Sequence, residues 1–221
     1  IKILISIMFK ELNFFKKKRE YSNPNKYIIK KGKFIRDFKK LYEKIDDPWN
    51  QTKNLENDEQ FLFFLSGLFN YFNKRKELSI LDIGAGSGIL SKYLKKKLRY
   101  LGTDVHNKKY KKVIFDDVNQ LNKSFINKFN VILCLKTIIY VSDNINNVIN
   151  NVKKYLKKEG VLLISYNLKL NSFSNKYLTD LKLRKILMKK GLKELYTIEI
   201  NRELFLKKNK EKMTFFVFQK R

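Results

Sequence analysis

The chain has 221 residues, with 49 Lys and Arg against 21 Asp and Glu, so its formal net charge is +28. A hydrophobic content of 43% is too high for a disordered chain, and this length suits one α/β domain with a modest extension. The single cysteine, Cys134, excludes a disulfide framework, and the single histidine, His106, excludes a multi-histidine metal centre. We therefore expect no metal, and a reducing compartment such as the cytoplasm.

Lysine supplies most of the positive charge. Lys, Asn, Ile and Phe are abundant together beside a single alanine, Ala85, which is typical of A- and T-rich coding and explains much of the charge. A basic surface attracts phosphate-rich partners, but specific nucleic-acid readers favour arginine for bidentate contacts. Nucleic acid is therefore the less favoured partner.

Residues 1–25 are predicted to be a poorly fixed leader. The run from Ile1 to Phe9 is largely apolar, but a bilayer span needs roughly 20 such residues. No small-residue cleavage site follows it. We expect neither a membrane span nor a secretory signal here.

Two helices are predicted in residues 26–77, before the main domain at 78–221. Apolar residues recur at three- and four-residue spacing over 27–45 and again over 55–72. The turn at Asp47-Pro48 separates the two helices.

From Leu78 onward, short apolar runs alternate with helical patterns, which is typical of βα units around a parallel sheet. Strands are predicted at 78–83, 98–103, 112–115, 130–135 and 161–166, and helices at 88–97, 119–126, 144–157 and 174–190. Two further β-like stretches, 192–201 and 212–220, predict an antiparallel hairpin at one edge of the sheet. The expected fold class is α/β, with a seven-stranded, mostly parallel sheet.

A glycine loop, Gly84-Ala85-Gly86-Ser87-Gly88, joins the first strand of this domain to the next helix. Glycines there allow a tight turn and the close approach of a ligand to the backbone. The third glycine of a dinucleotide fingerprint would fall at Ile89, which weighs against NAD and FAD. The Lys-containing phosphate loop of ATPases is absent from the sequence.

Acidic residues follow the next two predicted strands. Asp104 ends the second strand, where a carboxylate can accept both hydroxyls of a ribose. Asp116 and Asp117 end the third, where an acid can accept a hydrogen bond from an adenine amine. Each can also be a turn residue or a helix cap. Three strand-end acids in register with one glycine loop predict a nucleoside site.

These stretches resemble the class I S-adenosylmethionine-dependent methyltransferases over about residues 78–221. The resemblance lies in Ile80–Gly88, Gly102-Thr103-Asp104, Asp116-Asp117-Val118, Phe129–Cys134 and Tyr155–Ile164. It implies a Rossmann-like fold, S-adenosylmethionine as cofactor and methyl transfer to an oxygen or nitrogen. The chain departs from the family pattern at Asn130, where an Asp is common, and at Lys158-Glu159-Gly160, where Pro-Gly-Gly is usual.

The resemblance assigns cofactor contacts by position. Gly84, Ala85, Gly86 and Gly88 would border the methionine part, and Asp82 would orient their loop. Asp104 would hold the ribose, Asp116 or Asp117 with Val118 the adenine, and Cys134 would pass close to the amino-acid tail. His106 would cover the ribose or adenine.

Two substrate contacts follow from weaker resemblances. The segment Leu41–Asn50 resembles part of the lid that precedes the core in nodulation-factor N-methyltransferases and related sugar-modifying enzymes. This resemblance implies that residues 26–77 form a helical lid or cap and that Trp49 lies near the substrate. Its alternative role is to anchor a loop on the core. Relatives often carry His at the position of Tyr140, which makes Tyr140 the catalytic and substrate candidate, with a packed tyrosine as the alternative.

The favoured function is methylation of a small molecule or a sugar-bearing intermediate. RNA methylation is the first alternative, supported by the charge, and a non-catalytic S-adenosylmethionine-binding module is the second. Neither the proline loop of adenine amino-methylases nor a proline beside Cys134, as in pyrimidine C5-methylases, follows the fourth strand. A buried structural cysteine is the better interpretation of Cys134.

Overall fold

The computed structural model of the chain describes residues 24–31, 33–45, 48, 78–92, 94, 98–105, 113–166, 178–201 and 212–221. Several predicted features lie outside this range: residues 1–23 of the predicted leader (1–25), Trp49, the predicted helix at 55–72 and His106. The findings below concern the described residues.

The N-terminal segment combines a short hairpin with one helix. A 3₁₀ helix, Pro24–Tyr27, leads into strands β1 (Ile29–Lys30) and β2 (Lys33–Phe34) and then helix α1 (Phe38–Lys44). The sequence predicted a single helix over 27–45, and this is wrong for its first half. Lys31 and Arg36 have φ values of 47° and 50°, and such left-handed residues interrupt a right-handed helix. Helix α1 begins after Asp37, whose side chain accepts a hydrogen bond from the Lys40 N–H.

A seven-stranded sheet forms the body of the molecule. Its strands are β3 (Ser79–Ile83), β4 (Arg99–Asp104), β5 (Val113–Phe115), β6 (Phe129–Leu135), β7 (Leu156–Tyr166), β8 (Leu192–Asn201) and β9 (Lys212–Lys220). They lie in the order β5-β4-β3-β6-β7-β9-β8. The first five strands in this order are parallel, and β9 pairs antiparallel with both β7 and β8. The predicted α/β fold with a C-terminal antiparallel hairpin is confirmed.

Both faces of the sheet are buried, as expected of parallel strands. Successive residues alternate between two hydrophobic clusters, so Leu81 and Ile132 belong to one cluster, whereas Ile80 and Leu133 belong to the other. Strand β9 follows the same rule with its row of aromatic residues. Because the first five strands are parallel, their carboxyl ends meet at one edge of the sheet.

Two α-helices and three further 3₁₀ helices connect the strands. Helices α2 (Ile145–Tyr155) and α3 (Asp180–Lys189) lie within their predicted ranges. The 3₁₀ helices are Ile89–Lys92, Lys123–Phe125 and Ile138–Asn144. The helix predicted at 119–126 is therefore reduced to one short turn, and β7 begins at Leu156, within the predicted helix 144–157. In the described part of the chain, no helix is both long and apolar enough to cross a membrane.

Candidate functional site

The glycine loop, residues 84–88, turns sharply at the carboxyl end of β3. Gly84 has a φ of 72°, and the N–H groups of Gly84 and Ala85 both donate to the carbonyl oxygen of Thr103, at 2.8 and 2.9 Å. A Cβ atom at position 84 would lie 2.2 Å from Thr137 Oγ1. Both the left-handed backbone and the close approach of Thr137 therefore require glycine here. Gly86 and Gly88 also have positive φ values.

Asp104 lies directly against this loop. It ends β4, is 7% exposed, and its Oδ2 accepts the N–H of Gly86 at 2.9 Å. Its Oδ1 lies 3.5 Å from the hydroxyl of Tyr42, which donates to it from α1. The carboxylate predicted to hold a ribose thus stands between the glycine loop and the N-terminal segment.

Asp82 lies behind the loop, within β3. Its side chain is buried, and the Tyr100 hydroxyl donates to its Oδ2 at 2.8 Å. Burial raises the pKa of Asp82 to about 7, the Tyr100 hydrogen bond opposes this rise, and the charge of Asp104 adds to it. Asp82 does not line the cavity described below, so its contribution to the site is indirect.

The segment that follows β5, residues 116–122, is called the nucleoside loop below, after the adenine contact that the sequence predicts for it. Asp116 Oδ1 accepts a hydrogen bond from Asn122 Nδ2 at 2.9 Å, and Asp117 Oδ1 accepts from both the N–H and Nδ2 of Asn119, at 3.0 and 2.8 Å. Burial raises the pKa of Asp116, and the nearby charge of Asp117 adds to this effect. Val118 is buried beside them.

The turn after β6 completes the strand-end edge. Lys136 has a φ of 57°, and its N–H donates to Ser165 Oγ of β7 at 2.7 Å. The next residue, Thr137, donates its hydroxyl to the Ile83 carbonyl oxygen at 3.0 Å. Cys134, two residues before Lys136, is buried in the core and outside the cavity lining, and burial raises the pKa of its thiol.

Tyr140 lies in the 3₁₀ helix after this turn and lines the cavity that is described below. Burial raises the pKa of its phenol to about 12, so the side chain is a neutral hydroxyl near pH 7. Its carbonyl oxygen accepts a hydrogen bond from Arg36 Nε at 3.1 Å.

The N-terminal segment supplies one wall of the cavity through residues that the sequence did not single out. Arg36, Phe38, Lys39 and Tyr42 all line it. Arg36 also forms a salt bridge with Asp143 and stacks on the Phe34 ring, with its guanidinium carbon 4.7 Å from the ring centroid. The resemblance of Leu41–Asn50 to a lid pointed to this segment. Neither that resemblance nor the helical spacing of Phe38 and Tyr42 distinguishes cavity-facing from core-facing residues.

These elements enclose a cavity of about 540 Å³. Its walls are the N-terminal segment, the glycine loop, the ends of β4 and β6, the nucleoside loop and the start of the Tyr140 helix. Three carboxylates line it, from Asp104, Asp116 and Asp117, together with the cationic side chains of Arg36, Lys39 and Lys136. This volume falls within the roughly 300–1,000 Å³ of small-molecule sites.

The donors and acceptors fit a nucleoside with a small polar tail. Asp104 presents a carboxylate at the end of β4, where the sequence predicts a ribose contact, and the nucleoside loop presents two more beside the apolar Val118. The described residues include no group of three or more His, Cys, Asp and Glu suited to a metal ion. Of the predicted cofactor residues, Gly84, Asp104, Asp116, Asp117 and Val118 line the cavity, whereas Asp82, Ala85, Gly86, Gly88 and Cys134 stand behind its wall.

Comparison with known proteins gives a family match over most of the chain. The family model described as "Methyltransferase domain" matches residues 55–206. No curated protein matches the chain significantly.

Solved structures share the fold. The N-methyltransferase NodS from Bradyrhizobium japonicum WM9, in complex with S-adenosylhomocysteine, is 18% identical, with a TM-score of 0.58 over 80% of this chain and 93% of its own. A 1,6-didemethyltoxoflavin N1-methyltransferase from Burkholderia thailandensis is 15% identical, with a TM-score of 0.59 over 83% of this chain and 85% of its own. The [4+2]-cyclase SpnF is 14% identical, with a TM-score of 0.54 over 71% of this chain and 80% of its own. At these identities the likeness concerns the fold alone.

Proposed function

Because the chain belongs to the methyltransferase-domain family, we propose that it transfers the methyl group of S-adenosylmethionine to an oxygen or nitrogen of a small molecule or a sugar-bearing intermediate. The observation that carries this proposal is the convergence of the glycine loop, Asp104 and the nucleoside loop on one cavity. The cofactor supplies a methyl group already activated on a sulfonium.

The cofactor half of the cavity is assigned to the strand-end acids. Asp104 accepts the ribose hydroxyls, and Asp116 or Asp117 accepts the adenine amine beside Val118. Asp82 acts from behind: its bond from Tyr100 and its burial in β3 support the strand end from which the glycine loop starts. Tyr42 donates to Asp104 and helps to hold this carboxylate in place.

The acceptor half is assigned to Tyr140 and the N-terminal wall. Since the pKa of Tyr140 is raised to about 12, its hydroxyl orients an acceptor by hydrogen bonding and does not serve as a base at neutral pH. In-line methyl transfer needs alignment and exclusion of water above all, and an amine acceptor needs no base at a suitable pH. We further propose that residues 26–77 form a cap over the acceptor half of the cavity and that Trp49 contacts the substrate.

A small, anionic acceptor is supported by the lining of the cavity. Arg36, Lys39 and Lys136 line the cavity together with Phe38 and Tyr140. Cations beside an aromatic wall suit an acceptor with a negatively charged group, such as a nucleotide-linked sugar. The 1,6-didemethyltoxoflavin N1-methyltransferase among the structural neighbours also favours a small acceptor. The proposed location is the cytoplasm, supported by the single buried thiol of Cys134.

The test is a labelled-methyl screen. Purified protein is incubated with methyl-labelled S-adenosylmethionine and with fractionated metabolites, glycans and RNA, and Asp104→Ala serves as the inactive control. We expect label in a metabolite or glycan fraction that depends on Asp104. Label confined to RNA would overturn the acceptor proposal.

RNA methylation is the second candidate, favoured by the net charge of +28. Phosphate contacts weaken steeply with salt. Competition of RNA with the labelled acceptor at two salt concentrations therefore separates the two candidates. A third candidate, a cofactor-binding protein that transfers no methyl group, predicts S-adenosylhomocysteine binding in calorimetry with no label in any fraction.

A further inference from the structure

The nucleoside loop has little regular structure, yet side chains of helix α2 and its N-cap bond to four of its seven residues. Asn151 Nδ2 donates to the Val118 carbonyl oxygen at 2.9 Å, and Asn147 Nδ2 donates to that of Asn119 at 2.6 Å. Tyr155 accepts the Asn122 N–H at 2.8 Å through its hydroxyl, which also donates to the Gln120 carbonyl oxygen at 3.2 Å. These bonds satisfy backbone N–H and C=O groups that make no hydrogen bonds within a helix or sheet.

The three asparagines share one face of the helix. Asn144, Asn147 and Asn151 are spaced three and four residues apart, which places them in one row along α2. We call Asn144, Asn147 and Asn151 the asparagine face. Asn144 is the N-cap of α2, but its side chain makes no capping bond. Its Nδ2 instead donates to Asn119 Oδ1 at 3.0 Å.

This contact continues to the cavity. Asn119 accepts from Asn144 through Oδ1 and donates through Nδ2 to Asp117 Oδ1 at 2.8 Å. These two bonds fix the orientation of the Asn119 amide, and that amide in turn fixes the orientation of the Asp117 carboxylate. A chain of two hydrogen bonds thus links α2 to an acid that lines the cavity.

We propose that the asparagine face positions the nucleoside loop for recognition of the adenine ring. This inference rests on the proposed function, because it assigns Asp116, Asp117 and Val118 to the nucleoside. The asparagines themselves touch no substrate or cofactor and act through Asn119 and Val118. They are positioning residues for the specificity of the base-binding half of the cavity.

The chain offers a closely matched test, because Asn146 and Asn147 are adjacent on α2 and both are exposed. Asn147→Asp keeps the size of the side chain but removes the donor that bonds to the Asn119 carbonyl oxygen. Asn146→Asp makes the same change in charge and shape at a residue outside this set of contacts. A second variant, Asn144→Asp, removes the donor to Asn119 but places a carboxylate at a helix N-terminus, where it is favourable to stability.

Two quantities are measured by calorimetry on the full chain: the affinity for S-adenosylhomocysteine, and its ratio to the affinity for S-inosylhomocysteine, which carries a carbonyl in place of the adenine amine. We expect Asn147→Asp and Asn144→Asp to weaken S-adenosylhomocysteine binding roughly tenfold and to lower this ratio, as for the loss of one hydrogen bond. The Asn146→Asp control should remain within about twofold of the wild type. The melting temperature of each variant is recorded in parallel.

A purely structural role would lower the melting temperature and leave the adenine-to-hypoxanthine ratio unchanged, and that result would overturn the inference. Equal affinity and equal ratio in both variants and the wild type would overturn it as well, while leaving the proposed function intact. Failure of the wild type to bind S-adenosylhomocysteine would instead refute the proposed function, and this inference with it.

Discussion

Two aspartates at the carboxyl edge of the sheet differ in what surrounds them. Asp104 lies at the cavity and accepts the Gly86 N–H, whereas Asp82 lies behind the loop and accepts the Tyr100 hydroxyl. Both are buried, but only Asp104 reaches the space where a ligand fits. The two residues are therefore expected to respond differently to mutation.

Asp104→Ala should weaken S-adenosylhomocysteine binding by about 1–3 kcal/mol, because a charged acceptor is lost from the ribose position. Isothermal titration measures this change. The matched control is Asp180→Ala, which removes an acid from the start of α3, outside the cavity lining. Equal affinities for the Asp104 variant and the wild type would refute the ribose assignment.

Asp82→Asn should change the pH dependence of stability. The folded-state pKa of Asp82 is raised to about 7, so the folded protein holds this proton more tightly than the unfolded chain does. Its contribution to the free energy of unfolding is complete below about pH 4, falls as pH rises and is lost above about pH 7. The wild type should therefore lose roughly 1.4 kcal/mol per pH unit in this window relative to Asp82→Asn.

Urea unfolding of the wild type and Asp82→Asn at pH 5, 6 and 8 checks this expectation. The free energy of unfolding of the variant should increase relative to that of the wild type as pH rises. Parallel curves for the two proteins would mean that Asp82 is ionised throughout and that burial does not govern its pKa.

At the scale of elements, Arg36 joins the N-terminal segment to the helix that carries Tyr140. Its guanidinium bonds to the Tyr140 carbonyl oxygen and pairs with Asp143, while it stacks on Phe34. Both charged side chains are about one-third exposed, so the ion pair itself is worth little. Its value is geometric, because it closes one wall of the cavity.

A double-mutant cycle with Arg36→Ala and Asp143→Ala should give a coupling energy of about 0.5–1 kcal/mol in unfolding. Arg36→Ala should also speed amide hydrogen exchange over 33–45, because it releases the segment from the Tyr140 helix. The ion pair between Arg184 and Glu194 at 2.9 Å, between α3 and β8, provides the control. Arg184→Ala should leave hydrogen exchange over 33–45 unchanged. Faster exchange in both variants would mean that Arg36 does not specifically hold the N-terminal segment to the Tyr140 helix.

Besides the helix predicted over 27–45, two further elements departed from the sequence patterns for identifiable reasons. The helix predicted at 119–126 gives way to the nucleoside loop because Asp117 and Asn122 bond to backbone N–H groups two residues on. Strand β7 begins at Leu156 because Phe129 pairs with Leu156 across an irregular register that includes Glu159 at a φ of 61°. In both places, tertiary or side-chain bonds override a helical pattern.

At the scale of the whole molecule, the net charge of +28 acts over the surface and not only at the cavity. A field of this size attracts any polyanion in dilute salt, whether or not it is a substrate. Binding to the enclosed cavity depends on shape and on short hydrogen bonds. The two kinds of binding should therefore separate with ionic strength.

Raising the salt concentration from about 50 to 300 mM should abolish most RNA binding and barely change the affinity for S-adenosylhomocysteine, because counterion release drives the first alone. Fluorescence anisotropy with a labelled RNA and calorimetry with the small ligand measure the two affinities. RNA binding that persists at the higher salt concentration would indicate specific contacts and favour RNA as the acceptor.

The sequence by itself determined the fold class, the S-adenosylmethionine-dependent methyltransferase family and the strand-end acids, and the fold and family are confirmed. The fold class and the acids follow from local signals, namely the period of buried strands, a glycine-rich turn and acids at fixed distances from it, whereas the family follows from resemblance. Only the tertiary structure decided that Arg36, Phe38, Lys39 and Tyr42 form a wall, that Thr137 packs on Gly84, and that α2 holds the nucleoside loop. Those contacts join residues far apart in the chain, and no local period records which distant surface a side chain will meet.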